Sequence, residues 1–436
     1  MHLRPCPGNR ILLSCAFCRN GMIGGTRTPT PPILWRSSGW LRAACHHRNR
    51  RERLVVVSRV ASSVVQRQIR YVAPVPLPDA TGLVREVYAQ IADEMLLVVP
   101  PAQLHSPSPD VLAAYWMLSR EPLAGTAVGR AAKEAVAAAV AVANICPYCV
   151  EMHTVGMYDL SGEHEAEAVA GDRVESMIDP ALRAMTAWAR TAHQLDDAAP
   201  EPPGLAAAER AELLGVVVGF HYVSRVVNVF LSNFLLPPGL GPRSRRRMKQ
   251  GISRLLRPML RTPRAGGRSV GLLPAAPIPV DMTWSAGNED IAAAVARSCR
   301  TFELAGARSV PAGVRRLVLD RLEAWRGEDT GLSTTWCEDL IADLPAHERA
   351  AGRLALLTAV SSYQVGEGVI SEFRRFDPSD AGLVDTVAWS AFAAARLIGN
   401  RLAAARADAP PVVSDFAEVE DPEWRMSGWQ RHRRAA

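Results

Sequence analysis

The first seventy residues contain almost no acid: thirteen Arg stand against the single carboxylate Glu52. That balance of +12 exceeds the net charge of +6 for all 436 residues, so the remainder carries −6. The basic character is therefore local and the body mildly acidic; the basic stretch at 237–280 lacks interleaved aromatics and any base-reading motif, so nucleic acid is not an expected partner. Aromatic residues are scarce at 6% while hydrophobic residues, mostly Ala and Val, reach 48%. Ala-rich runs with few aromatics favour close-packed helices over a sheet. No run of eighteen apolar residues occurs, so no membrane span is expected. No Gly-rich nucleotide loop is present, so nicotinamide chemistry is not expected of this chain. Eight cysteines in 436 residues, mostly single, make no disulfide framework.

What is there is a concentrated stretch, Lys133 to Tyr158, KEAVAAAVAVANICPYCVEMHTVGMY. An Ala/Val segment runs into Asn144, and Cys146, Pro147, Tyr148, Cys149 and His153 follow within ten residues. Pro is favoured at the first position of a helix, which makes Cys146 the expected N-cap and puts Cys149 in the first turn. The positive end of the helix dipole favours a thiolate there. His153, four residues on, shares a face with Cys149. On one continuous helix Glu134 and His153 would lie roughly 28 Å apart. If the chain reverses at Asn144–Pro147, Glu134 lies about 15 Å back from the turn and His153 about 9–10 Å forward, a gap that a Glu side chain and one water can close. The set is then a carboxylate orienting an imidazole that takes a proton from a thiol. Structural zinc is the bland reading of Cys-x-x-Cys, but it needs a second ligand pair and only His153 is local. Glu134 as a plain surface carboxylate and His153 as a satisfied core histidine are the other bland readings.

Glu134, eleven further residues, CPYC at 146–149, and His153 after three more resemble the active-site signature of the alkylhydroperoxidase D-like branch of the carboxymuconolactone decarboxylase superfamily. RYVAPVPLPDATGLVREVYAQI (70–91) and LHSPSPDVLAAYWML (104–118) are similar to the family's lead-in, and FHYVSRVVNVFL (220–231) to the closing helix of its peroxidase-related members. The resemblance covers about 70 to 236. It implies that Cys149 is the peroxidatic thiol and Cys146 the resolving one, which closes a disulfide, with Glu134 and His153 as proton relay. Where some members carry a second histidine, this chain has Tyr148. The implied function is a thiol-dependent peroxidase acting on alkyl hydroperoxides or hydrogen peroxide. It needs no cofactor and no metal, and a lipoyl or thioredoxin-like protein would serve as reductant. A reducing cytoplasm suits a dithiol that must be recycled. The rivals are a decarboxylase-like member, which needs no Cys-x-x-Cys, a non-enzymatic thiol switch, and a zinc module.

The expected fold is all-α, with two tandem lobes of this family's kind, the second degenerate. Residues 1–68 read as a transit peptide, a disordered basic arm, or sequence upstream of the true start; the last is preferred because family-like sequence begins near Gln68. Cys15, Cys18, Cys45, His46 and His47 lie there without a periodic scaffold. Residues 69–236 form the catalytic domain, with helices expected at 79–98, 109–119 (capped by Ser106 or Ser108), 127–143, from Pro147, 179–195 and 206–233. His221, Arg225 and Asn228 share a face of the last, as a wall of the substrate site or a stripe at a subunit contact; a homo-oligomer stays open. Residues 237–283 hold ten Arg or Lys before the first acid, Asp281. Met248, Ile252, Leu255, Leu256, Met259 and Leu260 make an apolar stripe there, expected to dock on the protein itself. Residues 284–403 read as a diverged repeat, with Ser361, Ser362, Tyr363 and Gln364 where the cysteines stand and Arg396 and Asn400 echoing the closing helix. Cys299 and Cys337 read as buried small hydrophobes, and 404–436 as a frayed tail.

Overall fold

The computed structural model describes residues 68–405 except 96, 233, 234, 237 and 238. The basic arm with its Cys/His group, and all but the first two residues of the tail, lie outside the described residues. Among those described there is no strand; the sole β-type pairing is the isolated bridge of Ile69 with Leu231. The protein is all-α.

The first half supplies α1 (Gly82–Glu94), α2 (Pro100–His105), α3 (Pro109–Ala124), α4 (Arg130–Ala143), α5 (Pro147–Leu160), α6 (Glu163–Ala170), α7 (Pro180–Arg190) and α8 (Ala207–Phe230). Next comes α9 (Pro242–Arg261), then α10 (Glu289–Ser309), α11 (Ala312–Ala324), α12 (Thr335–Ile341), α13 (Arg349–Ser361), α14 (Glu367–Phe376) and α15 (Asp380–Ala404). Proline opens α2, α3, α5, α7 and α9, where its missing N–H is no loss. At α7 Asp179 caps the free amides of Ala181 and Leu182. Ser108 sits at the N-cap of α3 but does not cap it. Its hydroxyl donates instead to Asp385 of α15 at 2.6 Å, tying the two halves together.

Helix α4 is the hub: every residue from Lys133 to Ala141 is buried. Alanine is the reason, because its methyl lets α5, α7 and α8 approach on separate sides. One charged pair this forces inside, Lys133 with Glu212 of α8 at 2.7 Å, is completed by the Gly125 carbonyl and the amides of Ala127 and Val128. Helices α8 and α15 are long and apolar enough to cross a membrane, yet 100% and 89% of their apolar windows are buried within the protein. They pack on each other, and α3 packs on α10, so one apolar core runs through both halves.

The basic helix α9 docks on the protein, but chiefly by charge rather than by its apolar stripe. Met248 and Leu255 remain exposed, whereas Leu260 is buried. Its cations meet the acids of α5 and α6: Arg245 pairs with Glu151, Lys249 with Glu167, and Arg257 and Arg261 with Asp159. The stripe did not decide the docking because α5 and α6 offer carboxylates to this segment.

Candidate active site

Between α4 and α5 the chain reverses in three residues, Asn144, Ile145 and Cys146. The Cys146 amide donates to the Ala141 carbonyl and the Ile145 amide to Val142, the paired bonds of a Schellman motif. That motif needs a left-handed residue, and here it is Ile145 at φ +50°, not glycine. A β-branched side chain in that region is strained by roughly 1–3 kcal/mol. Ile145 is also 48% exposed, in keeping with a sharp outward corner. Cys146 is the N-cap of α5 without a side-chain cap bond, and Cys149 lies in the first turn.

The reversal brings the spaced residues together. His153 Nδ1–H donates to Glu134 Oε2 at 2.7 Å. The contact is direct, where the sequence geometry had allowed for a water. Gly156 of α5 is the reason: a Cβ there would already touch the Glu134 carboxyl at 3.4 Å, so a longer side chain would displace it. Arg130, one turn before Glu134 on α4, donates to Oε1 at 2.6 Å. Burial alone would raise the Glu134 carboxyl, but Arg130 and His153 outweigh it and hold the group down to about 2. Glu134 is thus an anion throughout the physiological range. It fixes the imidazole with its proton on Nδ1, leaving the Nε2 lone pair as the available base.

Both thiols are free and buried. Burial and the neighbouring Cys149 push the Cys146 thiol well up, so Cys146 is a protonated thiol lying against Cys149. His153 sits one turn from Cys149 on α5, and no hydrogen bond joins the two side chains among the described residues. The ring of Phe220 meets His153 edge-on at 4.4 Å. Tyr148 and Tyr115 are both raised by burial and then by Cys149, so the two phenols stay neutral donors around it. Tyr115 stacks on His105 at 4.5 Å, and His105 Nε2 accepts from Tyr222 at 2.7 Å.

Sequence reasoning missed Arg130, Tyr115 and Gly156. Arg130 had a readable signal, its i,i+4 spacing to Glu134; the other two follow only from which helices meet. Arg225 and Asn228 face the second half within the chain, Arg225 donating to the Ala359 carbonyl at 2.9 Å and Asn228 to Ser362 Oγ at 3.0 Å, while His221 bonds to Asn144 and Arg225 within the first half. Ser361 to Gln364 lie where α13 gives way to α14. They end α13 and form a 3₁₀ turn ahead of α14. Arg353 and Glu372, nineteen residues apart like Glu134 and His153, pair across α13 and α14. The linker between α13 and α14 has five residues, against three between α4 and α5. Cys299 and Cys337 are wholly buried, and burial pushes both thiols up. No cluster of three metal-ligating side chains occurs among the described residues.

Fold and corner together define an all-helical protein with a dithiol at a helix start and a buried carboxylate–imidazole pair beside it. A Mycobacterium tuberculosis protein named alkyl hydroperoxide reductase Rv2159c is 34% identical over 337 residues, covering 77% of this chain and 96% of that relative. The chain belongs to the alkylhydroperoxidase D-like family. No family model and no solved structure matches it.

Proposed function

We propose that the protein is a thiol-dependent peroxidase, an oxidoreductase that reduces alkyl hydroperoxides or hydrogen peroxide. The relative's name supports the coarse activity. The observation that carries the finer reading is the Glu134–His153 hydrogen bond set beside two buried thiols at a helix N-terminus. His153 Nε2 removes the proton of Cys149, and the thiolate attacks the terminal peroxide oxygen. The O–O bond breaks and the alkoxide takes the proton from His153 and leaves as an alcohol. Cys149 is now a sulfenic acid. The Cys146 thiol, lying against it, condenses to a disulfide and releases water. A lipoyl or thioredoxin-like dithiol reopens that disulfide and is itself oxidised. No step calls on a cofactor.

In this reading residues 284–403 are a diverged second copy that has lost the thiols and serves as a packing partner. The nineteen-residue cross-helix pairs in both halves support it. The test is turnover of an alkyl hydroperoxide with a panel of thiol reductants. We expect steady consumption with at least one dithiol reductant and none in Cys149→Ser. Consumption that stops at one equivalent with every reductant would favour a thiol switch. Full turnover in Cys149→Ser would sink the reading.

A further inference from the structure

Five Arg or Lys residues are buried among those described: Arg120, Lys133, Arg225, Lys249 and Arg396. Four of them hold a carboxylate, namely Glu94 with Arg120, Glu212 with Lys133, Glu167 with Lys249 and Asp281 with Arg396. Arg225 has no carboxylate within 4.0 Å among the described residues. Its Nε donates to Ala359, and its Nη1 to the ring and carbonyl of His221. Nη2 makes no hydrogen bond among the described residues. Leaving a guanidinium buried without a counter-charge is costly, and burial lowers this one to about 9.

Arg225 lines a cavity of about 210 Å³ that reaches Asn144 and Ile145, the two residues before Cys146. Two imidazoles stand near it with unused nitrogens. His221 Nδ1 accepts from both Arg225 and Asn144, so its proton is on Nε2, which has no partner. His193 also lines the cavity, its ring 6.3 Å from that of His221 and its Nδ1 unpartnered. The two acids of the lining, Glu328 and Asp329, are exposed and already engaged by Arg321 and by Tyr363. Arg190, the remaining cation, is paired with Asp172. Val142, Ile145 and Trp325 supply an apolar wall.

We propose that this cavity is a binding site for a small organic carboxylate, its anionic head on Arg225 Nη2 and its aliphatic part against Val142, Ile145 and Trp325. A charge-assisted pair at a buried guanidinium is the strong kind of hydrogen bond. The volume lies below the roughly 300–1,000 Å³ of sites for drug-sized ligands, which limits the guest to a short chain. The site stands apart from the peroxidase reading, since occupancy is measurable without turnover.

The test is calorimetric titration of the full chain with hexanoate and with hexan-1-ol. We expect hexanoate to bind at least tenfold more tightly, and Arg225→Met to abolish that preference. Should Arg225→Met fail to fold, Val360→Phe, which fills the cavity from α13 and keeps every charge, is expected to remove hexanoate binding while the thermal midpoint holds. Equal affinity for acid and alcohol, no heat with millimolar hexanoate, or undiminished hexanoate binding in either folded variant would overturn the site.

Discussion

The two helical hairpins, α4–α5 and α13–α14, share one spacing and differ in turn and burial. Each has a side-chain pair bridging residues nineteen apart. In the first the pair is Glu134 with His153, with side chains 4% and 14% exposed; in the second it is Arg353 with Glu372, at 23% and 43%. The first turns in three residues through a strained Ile145, the second in five through a 3₁₀ turn with no left-handed residue. Burial makes the difference. An ion pair in water contributes little, whereas a buried carboxylate held by Arg130 fixes an imidazole in one orientation beside a thiol. A shared nineteen-residue spacing thus leaves the two pairs in different settings, buried in the first hairpin and half-open in the second.

The widest gap between the hairpins is expected in catalysis. Glu134→Gln should lower kcat/KM for an alkyl hydroperoxide by roughly 100-fold, in the range for a lost acid–base partner, while Glu372→Gln should leave it unchanged. Equal effects would end the distinction. Acid stability comes next. His105 and His193, both pushed down to about 4 by burial, and His221, driven well below its usual range, all lie in the first half. The second half has only the exposed His347. Between pH 6.5 and 4 the unfolded chain takes up protons that these folded imidazoles refuse, so stability should fall as pH drops through that window. The loss should be on the order of a few kcal/mol, read from urea midpoints. A flat profile over that window would remove the neutral-core assignment. The smallest effect concerns the corners. Ile145→Gly should stabilise by about 1 kcal/mol in denaturant unfolding, by relieving the left-handed strain. Tyr363→Gly, in the unstrained turn, should destabilise.

Much of this was legible in sequence. Proline at first helical positions set the starts of α5 and α7, and the Ala/Val run marked α4 as a close-packed helix. The relay spacing was legible once the chain was folded back at Asn144. Three things were not. Nothing local says that Ile145 accepts a left-handed backbone, since that is imposed by the bonds to Ala141 and Val142. The 3₁₀ turn of Ser362–Gln364 between α13 and α14 was not legible either, because no proline or cap residue there marks where one helix ends and the next begins. The docking of α9 by its charges could not be read from its own stripe, because the acids it meets lie on α5 and α6.

The central claim is that Cys149 is the thiol that the Glu134–His153 pair prepares for attack. One measurement addresses it directly: one equivalent of alkyl hydroperoxide added to Cys146→Ser, followed by trapping of sulfenic acid and mass mapping of the adduct. The account expects one turnover and a label on Cys149. An inert Cys146→Ser, with Cys149→Ser reacting once and labelled at Cys146, would contradict it.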